Sequence, residues 1–534
     1  MESNKMKKFW SAGSFPVLVA MAFLFYFLFQ GGKVLLEQSS QAVKFKYTLD
    51  YGEGPLLDQS FRLSQGENIY HPDVSTPPYT IANYPPLFVM LQVPFVWAVG
   101  PALWYGRMLS LISTLLAGLF TGLTTWVLTR DRAASLVAGF LLLMFPYVMY
   151  WTQLNRIDNL ALFFLTAGLY FLTRNPNSSG GRILSALLLS AAVFTRQSYL
   201  LAGPLAALVF LVFEPSRPAG HQFERRYGLK RAAHFAAWFG GTCLALFLLL
   251  MIWSRGGFFF HIVTANVNPF YWETVKNYAR DILRYMPFLL AGALGMLIWG
   301  LSEPARLIVR LRRKIDPARH PVSTPKEKPV QGIKRSGWWL SAPFLLGAMA
   351  SAVTIGKDGS NVNYLLEFCA ALSLATGVLI AWAGQESRAF KIALIVVLAL
   401  QVNIILHWSG ETYATYNPGR YKDLPQLFQL NMAIQRAKAG PILADEHMAM
   451  LAINNRSLVY QPFEFKMLSQ AGKWDQTAFL ESIRRKEFPL ILLYDPEEWD
   501  SQGARWTPEQ LDAIYANYRS TGRLANTILL VPQE

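Results

Sequence analysis

The sequence predicts a polytopic α-helical membrane protein of about eleven transmembrane helices, with a large first external loop and a small C-terminal α/β domain. Three observations carry this expectation. Of 534 residues, 53% are hydrophobic and only 16% are charged, against about 25% charged in soluble domains. Apolar runs recur through residue 408, many long enough to cross a bilayer core. After residue 408 the long runs stop, and short apolar stretches alternate with polar ones.

The first span falls near 13–31, behind Lys5, Lys7 and Lys8. Its apolar run is long and no A-x-A-like cleavage site follows, so it reads as a retained anchor rather than a signal peptide. Further spans are expected near 107–128, 133–150, 157–173, 182–195, 199–213, 232–253, 285–302, 337–354, 364–384 and 389–408. The formal charge is +15, but the cations gather between apolar runs, where they set orientation. The charge is therefore topological and does not point to nucleic acid. Cys243 and Cys369 both lie in apolar segments and supply neither a disulfide framework nor a cysteine metal site.

Charge parity fixes the sides. Arg217, Arg225, Arg226, Lys230 and Arg231 mark one cytoplasmic loop, and the basic run between Arg306 and Arg335 marks another. Two crossings separate them, so the 254–284 loop is external. Working backwards, Arg196-Gln197, Asn155–Asp158 and Gly106-Arg107 are external too, and the N-terminus is cytoplasmic. Parity holds only if the run from Tyr84 to Gly100 does not cross. Pro85, Pro86 and Pro94 suit a short helix at the outer face. The short spans 182–195 and 199–213 are the weak point, because a single bent span there would invert the earlier loops.

The chain divides into a membrane part, 1–408, with a first external loop at 32–106, and a soluble external part, 409–534. In the latter, Ile442–Asp445, Leu490–Tyr494 and Thr527–Val531 read as strands, and Gln476–Lys486 and Pro508–Tyr518 as amphipathic helices. No Gly-rich phosphate loop is present, so no nucleotide is assigned to it.

Charged groups at span ends are costly and are functional candidates. Asp50 and Glu53 lie in the first external loop. Asn155-Arg156-Ile157-Asp158 sits at a span entrance, and Thr195-Arg196-Gln197 lies between two apolar runs. The stretch from Gly356 to Tyr364 contains Lys357 and Asn363, and Glu367 follows within an apolar helix. Each has a plainer reading: a solvated acidic turn at Gly52 and Gly54, a helix-capping ion pair, an arginine reaching the headgroups, a polar loop. Together, an acid pair and several cations on one membrane face suit a lipid carrying a phosphate and a polar group. Arg and Lys would hold the phosphate, and a carboxylate would take a proton from an incoming hydroxyl. Tyr79, Tyr84 and Trp104, near the acid pair, are candidates to stack on a sugar or an isoprenoid. Of the external histidines (His71, His261, His407 and His447), only His261 is a candidate metal ligand, and three scattered ligands make no motif.

At this point the chain resembles the GT-C class of integral-membrane glycosyltransferases. More narrowly it is similar to the bacterial branch related to protein O-mannosyltransferases and the aminoarabinose transferase acting on lipid A. The matching stretches are Asp50-Tyr51-Gly52-Glu53-Gly54, Tyr84-Pro85-Pro86-Leu87, Gly106-Arg107-Met108-Leu109-Ser110, Arg156-Ile157-Asp158 and Asn363-Tyr364. The resemblance implies inverting transfer of a monosaccharide from a polyprenyl-phosphate donor to a hydroxyl of a glycan, lipid or protein, in a bacterial inner membrane. It implies a first-loop carboxylate as base. Here the acids are spaced Asp-x-x-Glu where many members have adjacent Asp-Glu, so Asp50 and Glu53 are both candidates, Asp50 being preferred. Arg156, Arg196 and Lys357 become phosphate ligands, Asp158 an organiser of the site, Asn363 and Tyr364 donor-site residues, and Tyr84, Trp104 and Arg107 substrate contacts. Some members of the class use a divalent metal and others do not. Two rival readings remain: a lipid-linked sugar transporter, and a non-catalytic polysaccharide assembly subunit.

Overall fold

A computed structural model describes residues 15–214, 225–305, 337–412 and 424–534. The N-terminal lysines, Arg217 and the basic run 306–335 lie outside these residues.

The membrane part begins with α1 (Phe15–Lys44), followed in the first loop by α2 (Glu53–Ser64) and α3 (Leu87–Val99). Next come α4 (Trp104–Thr129), α5 (Arg132–Met144), α6 (Pro146–Thr152), α7 (Asp158–Arg174), α8 (Ser179–Thr195), α9 (Ala202–Phe213) and α10 (Arg225–Trp253). It closes with α11 (Trp272–Tyr285), α12 (Pro287–Gly300), α13 (Trp338–Ala352), α14 (Leu366–Glu386) and α15 (Arg388–Thr412). Seven helices are long and apolar enough to cross a membrane: α1, α4, α10 and α15, and α12, α13 and α14 with their adjoining turns. Among the described residues the chain is thus an integral membrane protein with seven candidate spans, or eight if α5 and α6 count as one.

The expected eleven counted four further runs that fall outside these seven: 133–150, 157–173, 182–195 and 199–213. The run 133–150 is not one helix, because Pro146 lacks the N–H that would continue the ladder of α5. The axes of α5 and α6 differ by 63°. Helices α7 and α8 have 17 residues each and α9 has 12. At 1.5 Å per residue these reach roughly 25 and 18 Å against a core about 30 Å thick, about 17 residues being the lower limit of a span, and the turn before α9 extends its apolar stretch to Gln197–Phe213. Helix α3, at 13 residues, is shorter still than a span, as its prolines suggest.

After α15 the chain forms a small mixed sheet with helices: α16 (Leu424–Arg436), β1 (Ile442–Ala444), α17 (Met448–Ile453), α18 (Pro462–Gln470), α19 (Thr477–Arg484), β2 (Leu490–Tyr494), α20 (Ser501–Arg505), α21 (Pro508–Asn517), β3 (Tyr518–Leu524) and β4 (Thr527–Pro532). Strand order is β1-β2-β4-β3, with β1 parallel to β2 and the other pairs antiparallel. Helix α21 starts as its sequence dictates: Thr507 caps the Gln510 N–H, Gln510 returns the bond, and Pro508 fills the first turn. Strand β3 was not foreseen. It is an exposed edge strand of mostly polar residues, without the apolar alternation that betrays a strand.

The first loop is stitched into this C-terminal region. Tyr79 forms a parallel bridge with Tyr460: its N–H donates to the Val459 carbonyl (2.8 Å) and its carbonyl accepts from Gln461 (3.0 Å). Its ring packs among Tyr460, Phe465, Trp474 and Phe479. From α2, Asp58 accepts the Leu458 N–H (2.7 Å) and pairs with Arg62 (2.7 Å), which donates to the Leu458 carbonyl. Gly54 lets α17 approach, since a Cβ there would lie 2.6 Å from Met448 Cβ.

Candidate active site

Between the helix ends and the C-terminal region lies an open cavity of about 390 Å³. One wall comes from the first loop (Asp50, Tyr51, Gly52, Tyr84), one from Trp151, Arg156 and Gln197, and one from Asn266, Asn268 and the loop Lys357–Asn361 with Tyr364. The C-terminal region supplies Phe463, Glu464, Trp499 and Arg505. Segments that charge parity puts on one face therefore meet in one cavity.

The fold separates the two first-loop acids. Glu53 is fully buried in the first turn of α2. The Arg107 fork grips it bidentately (2.8 and 2.7 Å), and the N–H groups of Leu49 and Asn155 donate to it at 2.8 Å each. Four donors fill a carboxylate's acceptor positions. Arg107 spends its remaining donors on the carbonyls of Ala42, Phe45 and Tyr47. This pair ties α1, α2 and α4 together, and neither residue lines the cavity.

Asp50 does line it. Its Oδ1 accepts the Gly52 N–H (3.0 Å) and lies 3.4 Å from Arg156 Nη1, while Oδ2 accepts no hydrogen bond from the described residues. Its side chain keeps 16% of its exposure. Burial pushes its proton affinity up; Arg156 opposes this without cancelling it. Gly52 is what lets Arg156 come so close, because a Cβ there would fall 1.3 Å from Arg156 Nη1.

Asp158 works from behind the cavity wall. It accepts the Trp151 indole N–H and a guanidinium N–H of Arg196, and the Asn363 amide donates to it at 3.0 Å. Arg196 also donates to the Asn363 carbonyl (3.1 Å) and lies over the Tyr364 ring at 4.3 Å. Arg156 lies over the Trp151 ring at 5.1 Å. Asp158, Arg196 and Asn363 are thus buried props for two lining rings, Trp151 and Tyr364, and do not themselves line the cavity. Arg196 Nη2 has no hydrogen-bond partner among the described residues. On the opposite wall Lys357 forms no ion pair among the described residues, and its ammonium lies 3.5 Å from Asn266 Oδ1. Its loop is pinned by Asp358 N–H to the Pro269 carbonyl (2.8 Å) and Tyr271 N–H to the Gly356 carbonyl (2.7 Å).

Several expected contacts sit elsewhere. Trp104 packs edge-on against Phe95 and Tyr105, away from the cavity. Tyr79 is spent on the C-terminal core. Tyr84 does line the cavity, and burial raises its phenol to about 12. His261 is a neutral structural residue: Nδ1 accepts the Ala82 N–H and Nε2 donates to the His71 carbonyl, both at 2.9 Å. Burial lowers it to about 4. With both nitrogens engaged it offers nothing to a metal. Among the described residues no three His, Cys, Asp or Glu side chains gather as a metal site.

The cavity also has a half the sequence did not disclose. Tyr51 donates to Glu464 (3.3 Å), accepts the Phe463 N–H (3.3 Å) and carries Arg505 on its ring at 4.4 Å. Arg505 is held by Glu446 (2.6 Å) and flanked by Trp499. No motif marks Glu464, Trp499 or Arg505; the one sequence trace is that parity puts the region after 408 on the same face as Asp50.

No family model and no curated protein sequence matches the chain. Solved structures do. The chain is similar to ArnT from Cupriavidus metallidurans in the apo state (TM-score 0.58, 13% identity, 97% of this chain and 98% of that one). It is similar to the same protein bound to undecaprenyl phosphate (TM-score 0.56, 12% identity, 94% and 97%). It also resembles the Archaeoglobus fulgidus oligosaccharyltransferase in complex with Zn and sulfate (TM-score 0.51, 13% identity, 94% and 75%). This is the GT-C fold. In this chain the first loop, the ends of the membrane helices and the C-terminal region all contribute to one cavity.

Proposed function

We propose that the chain is an inverting glycosyltransferase that moves a monosaccharide from a polyprenyl-phosphate donor to the hydroxyl of a glycan, lipid or protein. The observation that carries this reading is Asp50: of the two first-loop acids it alone faces the cavity, with a free oxygen, raised proton affinity and Arg156 beside it. The acceptor oxygen attacks the anomeric carbon, and Asp50 takes the hydroxyl proton. The bond from that carbon to the phosphate oxygen breaks, and the polyprenyl phosphate keeps the electron pair. Arg156 and Lys357 stabilise the charge that develops on the departing phosphate. Asp158, Arg196 and Asn363 position Trp151 and Tyr364. The fold shared with an ArnT bound to undecaprenyl phosphate supports the donor class. The family resemblance supports a bacterial inner membrane setting, and charge parity over the eleven expected spans supports a cytoplasmic N-terminus and a periplasmic cavity.

The test is release of polyprenyl phosphate from a panel of radiolabelled polyprenyl-phosphate sugars by the purified protein in lipid, with Asp50→Asn beside the wild type. Release lost in the variant supports the reading. Binding of a donor without turnover in either protein would favour a transport or assembly role.

A further inference from the structure

A second cavity, of about 520 Å³, lies at the far ends of α4 and α14, helices whose near ends adjoin the candidate active site. Helix α4 runs from Arg107, paired with Glu53, to Thr129, and α14 runs from beside Tyr364 to Glu386. At 1.5 Å per residue the two ends lie roughly 30 Å apart, the thickness of a bilayer core. Four cations line this far cavity: Arg130 and Arg132 from the α4–α5 turn, and Arg388 and Lys391 from the start of α15. Its lining acid, Asp131, is already spent. One oxygen caps the Ala134 N–H (3.1 Å) and the other pairs with Lys391 (2.5 Å). Among the described residues Arg130, Arg132 and Arg388 form no ion pair.

Their placement is unfavourable as it stands. Helices α5 and α15 begin at Arg132 and Arg388, so guanidinium groups lie at the positive ends of two helices, where the macrodipole favours anions. Arg130 closes α4 in the left-handed conformation (φ 59°), a place that usually goes to glycine. Arg132 lies over the Trp126 ring at 5.7 Å. Orientation by positive charge explains why cations lie on this face. It does not explain their convergence on one cavity with two helix N-termini. An anion in the cavity would be favoured by both helix N-termini and by the exposed guanidinium groups, and Val17 of α1 adds an apolar side chain to the lining.

We infer that this far cavity binds a phosphate-bearing anion, supplied either as the headgroup of an acidic phospholipid or as soluble phosphate. Guanidinium groups match phosphate geometry, and basic pockets between membrane helices hold such headgroups.

The experiment uses the full-length purified protein, the triple variant Arg130→Gln/Arg132→Gln/Arg388→Gln, and Asp131→Asn, each checked by size exclusion. In one arm, native mass spectrometry compares retention of phosphatidylglycerol and phosphatidylcholine. In the other, thermal unfolding is followed as inorganic phosphate is titrated in. Selective retention of phosphatidylglycerol assigns the lipid source, and stabilisation by inorganic phosphate without lipid selectivity assigns the soluble one. In the arm that responds, the triple variant is expected to bind on the order of 100-fold more weakly, from about 1 kcal/mol per cation. Asp131→Asn keeps a capping oxygen, removes the competing charge and frees Lys391, so it is expected to bind more tightly, an outcome that misfolding does not imitate. Equal binding by the wild type and the triple variant in both arms, or weaker binding by Asp131→Asn, overturns the inference.

Discussion

Asp50→Asn and Glu53→Gln lie three residues apart and are expected to fail in different ways. Asparagine at 50 keeps the shape and still accepts from Gly52, but it takes no proton. Loss of a general base costs about 10²–10⁴ in rate, or about 2.7–5.5 kcal/mol of barrier. Less stability is at stake than at Glu53, because the Asp50–Arg156 pair is long at 3.4 Å and keeps 14–16% of its side-chain exposure, and Arg156 keeps its place over the Trp151 ring. Glutamine at 53 removes the charge from a fully buried pair and leaves Arg107 facing three carbonyls without its counter-ion, a loss of about 3–5 kcal/mol. The assay pairs the initial rate of transfer, per folded molecule, with the thermal unfolding midpoint in lipid. Asp50→Asn should lose turnover and keep its midpoint; Glu53→Gln should lose its midpoint and keep turnover while folded. Wild-type turnover by Asp50→Asn, beside a well-folded and inactive Glu53→Gln, would refute the assignment of roles.

Four further outcomes are expected. Asp50 is active when deprotonated and its proton affinity is raised, so activity should fall as pH drops through a value above the ordinary ~3.9 of a free carboxyl; the pH profile of kcat/KM reads this limb. Gly52→Ala places a methyl where Arg156 lies, and displacing that guanidinium by an ångström should cost on the order of 100-fold in transfer with the fold retained. Tyr79→Ala removes a buried ring from the joint between loop and C-terminal region, a loss of about 3–5 kcal/mol, visible as faster hydrogen exchange at residues 458–461. His261 is neutral when folded and lowered to about 4, so its contribution is present above the unfolded value near 6.5 and is lost as pH falls toward 4. That amounts to about 3 kcal/mol, and His261→Gln should flatten the dependence of the unfolding midpoint on pH over this window.

The fold class was legible because apolar runs and connector cations are local signals. Span number was not, because a run such as 133–150 reads the same whether Pro146 breaks it or only bends it. In the site, the sequence could nominate Asp50 and Glu53 together but not separate them. Their difference lies in Arg107, 54 residues on, which arrives at one acid and not the other. Arg156, Lys357 and Tyr84 were visible as polar groups at span ends. Arg196, Asp158 and Asn363 were visible too, but their depth behind Trp151 and Tyr364 was not. Glu464 and Arg505 were hidden altogether, because ordinary charged residues in polar stretches gain meaning only through contacts made some 400 residues away.

The clamp of Asp58 on Leu458 closes a loop of 400 residues, and this sets a clock on the protein's birth. A ribosome adding about 5–20 residues per second makes Asp58 roughly 20–80 s before its partner exists. Through that interval the first loop has already been delivered, yet the wall of its cavity that holds Glu464 and Arg505 has not been made. An early-terminated chain would therefore be inserted and anchored but left with an open cleft, so the cavity is completed only once the C-terminal region has been made.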